Sequence, residues 1–174
     1  FSSCSSDDAM EALNTDPTKA ATMNPNSQLT TAILETYGDL DQVEIYRNYL
    51  YAFNQHLMGC WNTTNYGGRH TADNTEMARI WTTFYDQGIK NLVDAEYATK
   101  NNESRKNINA ALNIYKVYMM SIITDAYGDV PYSEAGLGFI KGIANAKYDT
   151  QESIYYDFFN KLDSAATQLS TAGD

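Results

Sequence analysis

The stretch "DAYGDVPYSEAG", residues 125–136, ends a long amphipathic run with Gly, Asp, Pro and Tyr at fixed offsets. Ahead of it, Ile108, Leu112, Tyr115, Met119 and Ile122 recur at three- and four-residue spacing, the period of one helix face. Ile114 and Val117 lie on the opposite side, so this helix is expected to be covered on two faces. The stop follows from local chemistry. Gly128 can take the positive φ that closes a helix near Tyr127. Pro131 fixes its own φ, lacks an N–H, and pushes Val130 into an extended conformation. Asp125 and Asp129 are expected to accept backbone N–H bonds in the turn. Tyr132 is expected to lay its ring over the helix end while its hydroxyl finds a partner. The stretch reads as a rigid, sharply re-aimed helix exit, structural rather than reactive.

The same period organises the chain on either side. Ser27 is expected to cap a helix through Tyr37, with Leu29, Ile33, Leu34 and Tyr37 on one face and Gly38 as its stop. A second helix is expected from about Asp41 to Met58, on Val43, Tyr46, Leu50, Phe53 and Leu57. Asp73 and Glu76 form a capping-box-like start to a third. Its stripe is Met77, Ile80, Trp81, Phe84, Leu92 and Val93, ending near Thr99. "KNNES" is a short turn, and Asp149 with Glu152 opens a last helix using Ile154, Tyr155, Phe158, Leu162 and Leu169. No run alternates with period two, so the fold class is all-α. The helices at 74–99 and 104–127 make an antiparallel pair, the unit of a tetratricopeptide-like solenoid, and the helix at 150–171 would open the next unit. Residues 1–26, with two of the three prolines, read as a tether and irregular arm, and 27–174 as one helical domain.

Composition narrows the function. The formal net charge of −10 argues against nucleic acid, whose binding needs clustered Lys and Arg. No stretch reaches the ~18 uninterrupted apolar residues of a spanning helix. Catalytic signatures are missing as well. His56 and His70 are separated by a helix-to-loop transition and form no HExxH. "GLGFIKG" lacks the spacing and the preceding strand of a phosphate loop, and a Cys60/His70 dyad would need an electropositive setting that this acidic chain does not offer. Asp125 and Asp129 fall short of the six to eight oxygens that Ca²⁺ takes. No metal or cofactor is expected.

The loop "GCWNTTNYGGRHTAD", 59–73, is the best candidate for binding. Trp61 and Tyr66 offer flat rings, and Asn62, Asn65, Arg69 and His70 offer hydrogen bonds, the combination by which sugars are held. Trp61 could equally pack onto the helix ends as a core plug. Most of the fourteen tyrosines, among them Tyr37, Tyr46, Tyr115, Tyr118 and Tyr155, sit at helical spacing and read as packing residues. Cys60 reads as a buried thiol. At the start of the chain, "FSSC" resembles the end of a bacterial lipoprotein signal peptide, which would make Cys4 the acylated residue, and "SSDD" resembles an acidic surface-export signal.

"DAYGDVPYSEA" resembles the motif of SusD/RagB-type proteins, outer-membrane nutrient-binding lipoproteins. "FSSC", "NTDPTKAAT" and "KYDTQESIYYDFFNKLDSAATQLS" agree with it in the expected order. The resemblance implies a tetratricopeptide-like scaffold carrying an irregular ligand-binding face. It also implies a non-catalytic protein, lipid-anchored on the cell-surface side of the Gram-negative outer membrane. There it would form a lid over a SusC-like TonB-dependent transporter and capture oligosaccharides or other nutrients. Such proteins are usually several hundred residues long, so the resemblance implies an N-terminal portion. Two other classes remain: a helical-repeat module that binds a peptide or protein without a sugar role, and an α-helical glycosidase, which would turn a glycan over.

Overall fold

The computed structural model describes residues 23–37, 43, 46–56, 67–70 and 74–169. The expectations placed on Cys4, Gly38, Asp41, Leu57, Cys60, Asp73 and the last turn before residue 171 lie outside these. The first helix, α1 (Pro25–Tyr37), starts earlier than Ser27. Asn24 is its cap: the side chain accepts the Asn26 N–H at 3.0 Å, and Pro25 fills the first turn, where a missing N–H costs nothing. Its buried face is Gln28, Ala32 and Thr36, and the expected Ile33, Leu34 and Tyr37 are exposed. Small Ala32 lets α1 approach its neighbours, and the Thr36 hydroxyl is satisfied by Ala32 O at 2.8 Å and by Tyr115.

A π-helical turn, Tyr46–Leu50, runs into α2 (Tyr51–Phe53). This helix stops short of Met58. Gln55 adopts φ 54°, and the N–H groups of His56 and Gln55 bond back to Tyr51 O and Ala52 O, a Schellman closure.

The third helix is one rod in three parts: α3 (Asn74–Thr83), a π-helical segment (Phe84–Ile89) and α4 (Lys90–Thr99). The stripe from Ile80 and Phe84 continues at Ile89, Leu92 and Val93. The five-residue step from Phe84 to Ile89 fits the wider π turn, which keeps both side chains on the core face. Gly88 lies in that segment directly against Met119 of α5 (Lys106–Tyr127): a Cβ there would sit 2.0 Å from the methionine methyl. On α5 itself Leu112, Val117, Met119, Met120 and Ile123 are buried, while Ile114 is exposed, so the second covered side is carried by Val117 and its neighbours.

Contacts at both ends set the directions. The Tyr127 hydroxyl, at the end of α5, bonds Met77 O and accepts the Trp81 N–H at 3.2 Å. At the other end, Asn109 Nδ2 donates to Thr99 Oγ1 at 2.9 Å. The two rods are therefore antiparallel. After α5 the chain makes β1 (Val130–Pro131), the short α6 (Gly138–Lys141) and β2 (Tyr148–Asp149) before α7 (Gln151–Gln168). The strands pair antiparallel, Val130 with Asp149 and Pro131 with Tyr148. Two residues are too few to show alternation, so this clasp leaves no period-two pattern to read. Thr150 caps α7 by accepting the Ser153 N–H at 3.3 Å, a role expected of Asp149. α7 runs back along α5 and buries Ile154, Phe158 and Ala165, leaving the expected Leu162 and Leu169 exposed. The architecture is all-α: antiparallel helix pairs around one apolar core, with α1 on the α4 side and α7 on the far side of α5.

Gly128 holds φ 78° and ψ −123°, a region open essentially to glycine, with free space where a Cβ would go. Gly128→Ala should therefore cost about 1–2 kcal/mol through backbone strain alone. Urea titration at constant m-value measures it, and an unchanged midpoint would refute it.

Candidate functional site

The exit at 125–136 is tied to α7 by side chains. The turn closes on itself, because Gly128 N–H reaches Thr124 O at 2.7 Å and the Thr124 hydroxyl reaches Gly128 O at 2.6 Å. The carboxylates expected to serve the turn are thus released for other partners. Asp129 accepts the Gln151 N–H at 2.9 Å, and Asp125 accepts the Tyr155 hydroxyl at 2.6 Å. The Tyr132 hydroxyl donates to Asp157, and its ring meets Phe158 edge-on at 5.6 Å. Asp149 accepts the N–H groups of Ser133 at 2.7 Å and Tyr132 at 3.3 Å.

Burial alone would push the Asp149 carboxyl up. The donors from Ser133 and Tyr132, with the Lys147 ammonium 3.6 Å away, hold it below the usual carboxylate range instead. A depressed folded value stabilises the protein above the unfolded pKa of about 4, and that contribution is lost as pH falls through the folded value. Asp149→Asn should lower the melting temperature at pH 7 and flatten the acid limb below about pH 4. A variant with an acid limb as steep as the wild type's would count against this tie.

Above the clasp stands an aromatic cluster. The Trp81 ring lies 4.8 Å from Tyr85, 5.4 Å from Tyr127 and 6.2 Å from Tyr148. The Tyr85 hydroxyl donates to Pro131 O at 2.6 Å. Burial raises the phenols of Tyr85, Tyr127 and Tyr132, so at neutral pH they are hydrogen-bond donors and not bases. A cavity of about 470 Å³ between α4, α5 and α7 holds Lys116 and Glu96 as an ion pair, with Asp157 and Lys161 3.8 Å apart nearby. Burial lowers the Lys116 ammonium, against the pull of Glu96. Neither Lys116 nor Asp157 was singled out in the sequence. The available signal was a lysine on the buried side of "YKVYMMSII".

Of the loop expected to bind ligand, Trp61, Asn62, Asn65 and Tyr66 lie outside the described residues. The described part, a 3₁₀ turn at Gly67–Arg69 and then His70, is exposed at Arg69 and His70. His70 adopts φ 53° and stacks on Phe53 with ring centres 4.3 Å apart and planes 15° from parallel. Phe53, expected on a core face, is itself substantially exposed. Among the described residues no three His, Cys, Asp or Glu side chains come together as a metal site, and no helix is long and apolar enough to cross a membrane.

No match was found among the curated proteins. Solved structures do match. A Bacteroidetes protein designated AC2a SusD-like is 47% identical, superposes with a TM-score of 0.78, and shares 87% of this chain and 28% of its own. A chitin-binding protein is 39% identical with a TM-score of 0.77, over 86% of this chain and 32% of its own. The chain thus spans about a third or less of the length of these relatives. The profile of the SusD-like family described as "Starch-binding associating with outer membrane" matches residues 17–174. That match takes in the helix pair, the clasped exit and α7, and on it this chain belongs to the SusD-like family.

Proposed function

We propose that the protein is a non-catalytic glycan-binding lipoprotein of the outer-membrane surface, anchored through Cys4, that passes its ligand to a SusC-like TonB-dependent transporter. Within the family, the observation that carries this reading is the exposed Phe53–His70 stack beside Arg69. A flat apolar face next to a charged donor matches a pyranose ring, with its C–H face and its hydroxyl edge. Trp61 and Tyr66 extend that stacking face in this reading, and Asn62 and Asn65 supply further hydrogen bonds.

Calorimetric titration of the full-length protein with maltoheptaose and chitohexaose tests it. At least one should bind without release of new reducing ends. Arg69→Ala should weaken binding several-fold with little change in melting temperature, because an exposed side chain contributes little to folding, and Trp61→Ala should weaken binding as well. Silence across a broad glycan array, or steady turnover of a bound glycan, would overturn the proposal. Cys4→Ala should release the protein from membranes in the native host, since two or three acyl chains anchor firmly where one does not.

A further inference from the structure

On the side of the helix pair facing α1, an open groove of about 1010 Å³ runs between α1, the long rod and the short helix α6. It is separate from the described part of the 59–73 loop: none of Gly67–His70 lines it. Its aromatic walls are Trp81 and Tyr85 from the rod and Phe139 from α6. Phe139 is completely exposed, a whole phenyl ring held in solvent on a four-residue helix. Asp86, Asn91 and Asp94 also line the groove, planar groups that can each address neighbouring hydroxyls.

One buried atom singles the groove out. Gln28 also lines it and is only 2% exposed. Its Nε2 donates to Asp94 at 2.7 Å, while its Oε1 has no partner. Turning the amide over does not help, because Asp94 is an acceptor and needs the NH₂ group. A buried acceptor left without a donor is costly; the atom is closed off as it stands, and a small turn of the amide toward the groove would offer it to a ligand hydroxyl. The charges choose among such ligands. Asp86 and Asp94 face one lysine, Lys90, which lies 3.9 Å from Asp86, so a uronic or sulfated chain would meet net negative charge.

We propose that this groove is a second carbohydrate-contact surface, taking a stretch of neutral oligosaccharide with its C–H faces on Trp81, Tyr85 and Phe139 and its hydroxyls on Gln28, Asn91 and Asp94. The proposal rests on the glycan-binding reading above and extends it to a face that the described part of that loop, Gly67–His70, does not line. Two contact surfaces on one protein would favour long chains over short ones, since the second contact is intramolecular once the first is made.

Hydrogen exchange of the full-length protein, with and without saturating maltoheptaose or chitohexaose, tests it alongside Phe139→Ala and Gln28→Met. Slower exchange is expected in peptides covering 81–94 and 136–141 with the neutral glycan that binds. Phe139→Ala should weaken binding about five- to tenfold, the loss of one stacking face, at unchanged melting temperature. Gln28→Met, which keeps the volume and removes the amide, should weaken binding while the fold persists. Binding of wild type and Phe139→Ala with equal affinity, or protection confined to the 59–73 loop, would overturn the groove and leave the glycan-binding reading standing. Equal protection of the groove by polygalacturonate would overturn its preference for neutral chains. Absence of binding to either neutral probe and to a glycan array would remove both readings together.

Discussion

Gly88→Val should cost about 2–3 kcal/mol of stability, and Met119→Ala should relieve part of that loss. A Cβ at position 88 would lie 2.0 Å from the Met119 methyl and 2.9 Å from its sulfur. A methionine tip is ordinarily the easiest neighbour to displace, because three soft torsions can move it. Here Met119 is fully buried among Phe84, Ile89 and Ile123, so it has no solvent to retreat into. Met119→Ala alone opens a cavity and should cost about 2–5 kcal/mol. In the double variant the valine fills part of that space, so the combined loss should fall short of the sum by about 1 kcal/mol or more. Urea unfolding of the four proteins measures the coupling. Strict additivity would show that the two positions do not press on one another.

The second large effect is expected at the ion pair behind the clasp. Lys116 is 9% exposed, and Glu96 is its carboxylate partner. Removing one member of such a pair leaves an uncompensated charge in a poor solvent, and the loss is normally about 3–5 kcal/mol. The cavity beside this pair admits some hydration, so Glu96→Ala is expected at about 2–3 kcal/mol. Its melting temperature should rise with pH more steeply than the wild type's. The lysine, folded with a pKa below its unfolded value, ceases to be a burdensome cation as pH climbs through the folded value. Lys116→Met in the Glu96→Ala background should recover most of the stability, because replacing both charges by apolar groups is close to neutral. Failure of that second substitution to rescue would mean that Glu96 matters for some other contact.

Helices with a regular apolar face were legible from sequence. Leu112 and Met119, or Ile154 and Phe158, repeat at the helical period because one face must leave water, and the structure buries all four. Where burial follows shape in place of hydrophobicity, the pattern misleads. α1 turns Ala32 inward and Leu34 outward because close approach needs a small residue. Ile89 escaped the stripe because a π turn changes the period that defines it. The site was less legible still. Gln28, Trp81 and Phe139 are separated by more than fifty residues at each step, and only packing brings them to one groove. Arg69 and His70 were legible as a loop with hydrogen-bonding groups, but the ring that stacks on His70 comes from Phe53, which read as core.

The two-residue clasp, Val130 against Asp149, closes the base of the excursion that carries α6. Its ends are fastened by contacts of their own: Val130 is fully buried, and Asp149 accepts the N–H groups of Tyr132 and Ser133, which directly follow the incoming strand. Doubling the length of a closed loop adds only about 0.6 kcal/mol of closure entropy. Within the excursion Ala135 is buried in the core and Leu137 and Ile140 pack against it, so the exchangeable part is its outer edge, Phe139 and residues 141–146. Segments of other lengths and sequences grafted there should leave the helical scaffold folded while replacing Phe139, which makes this excursion the natural place to diversify a library for new binding preferences.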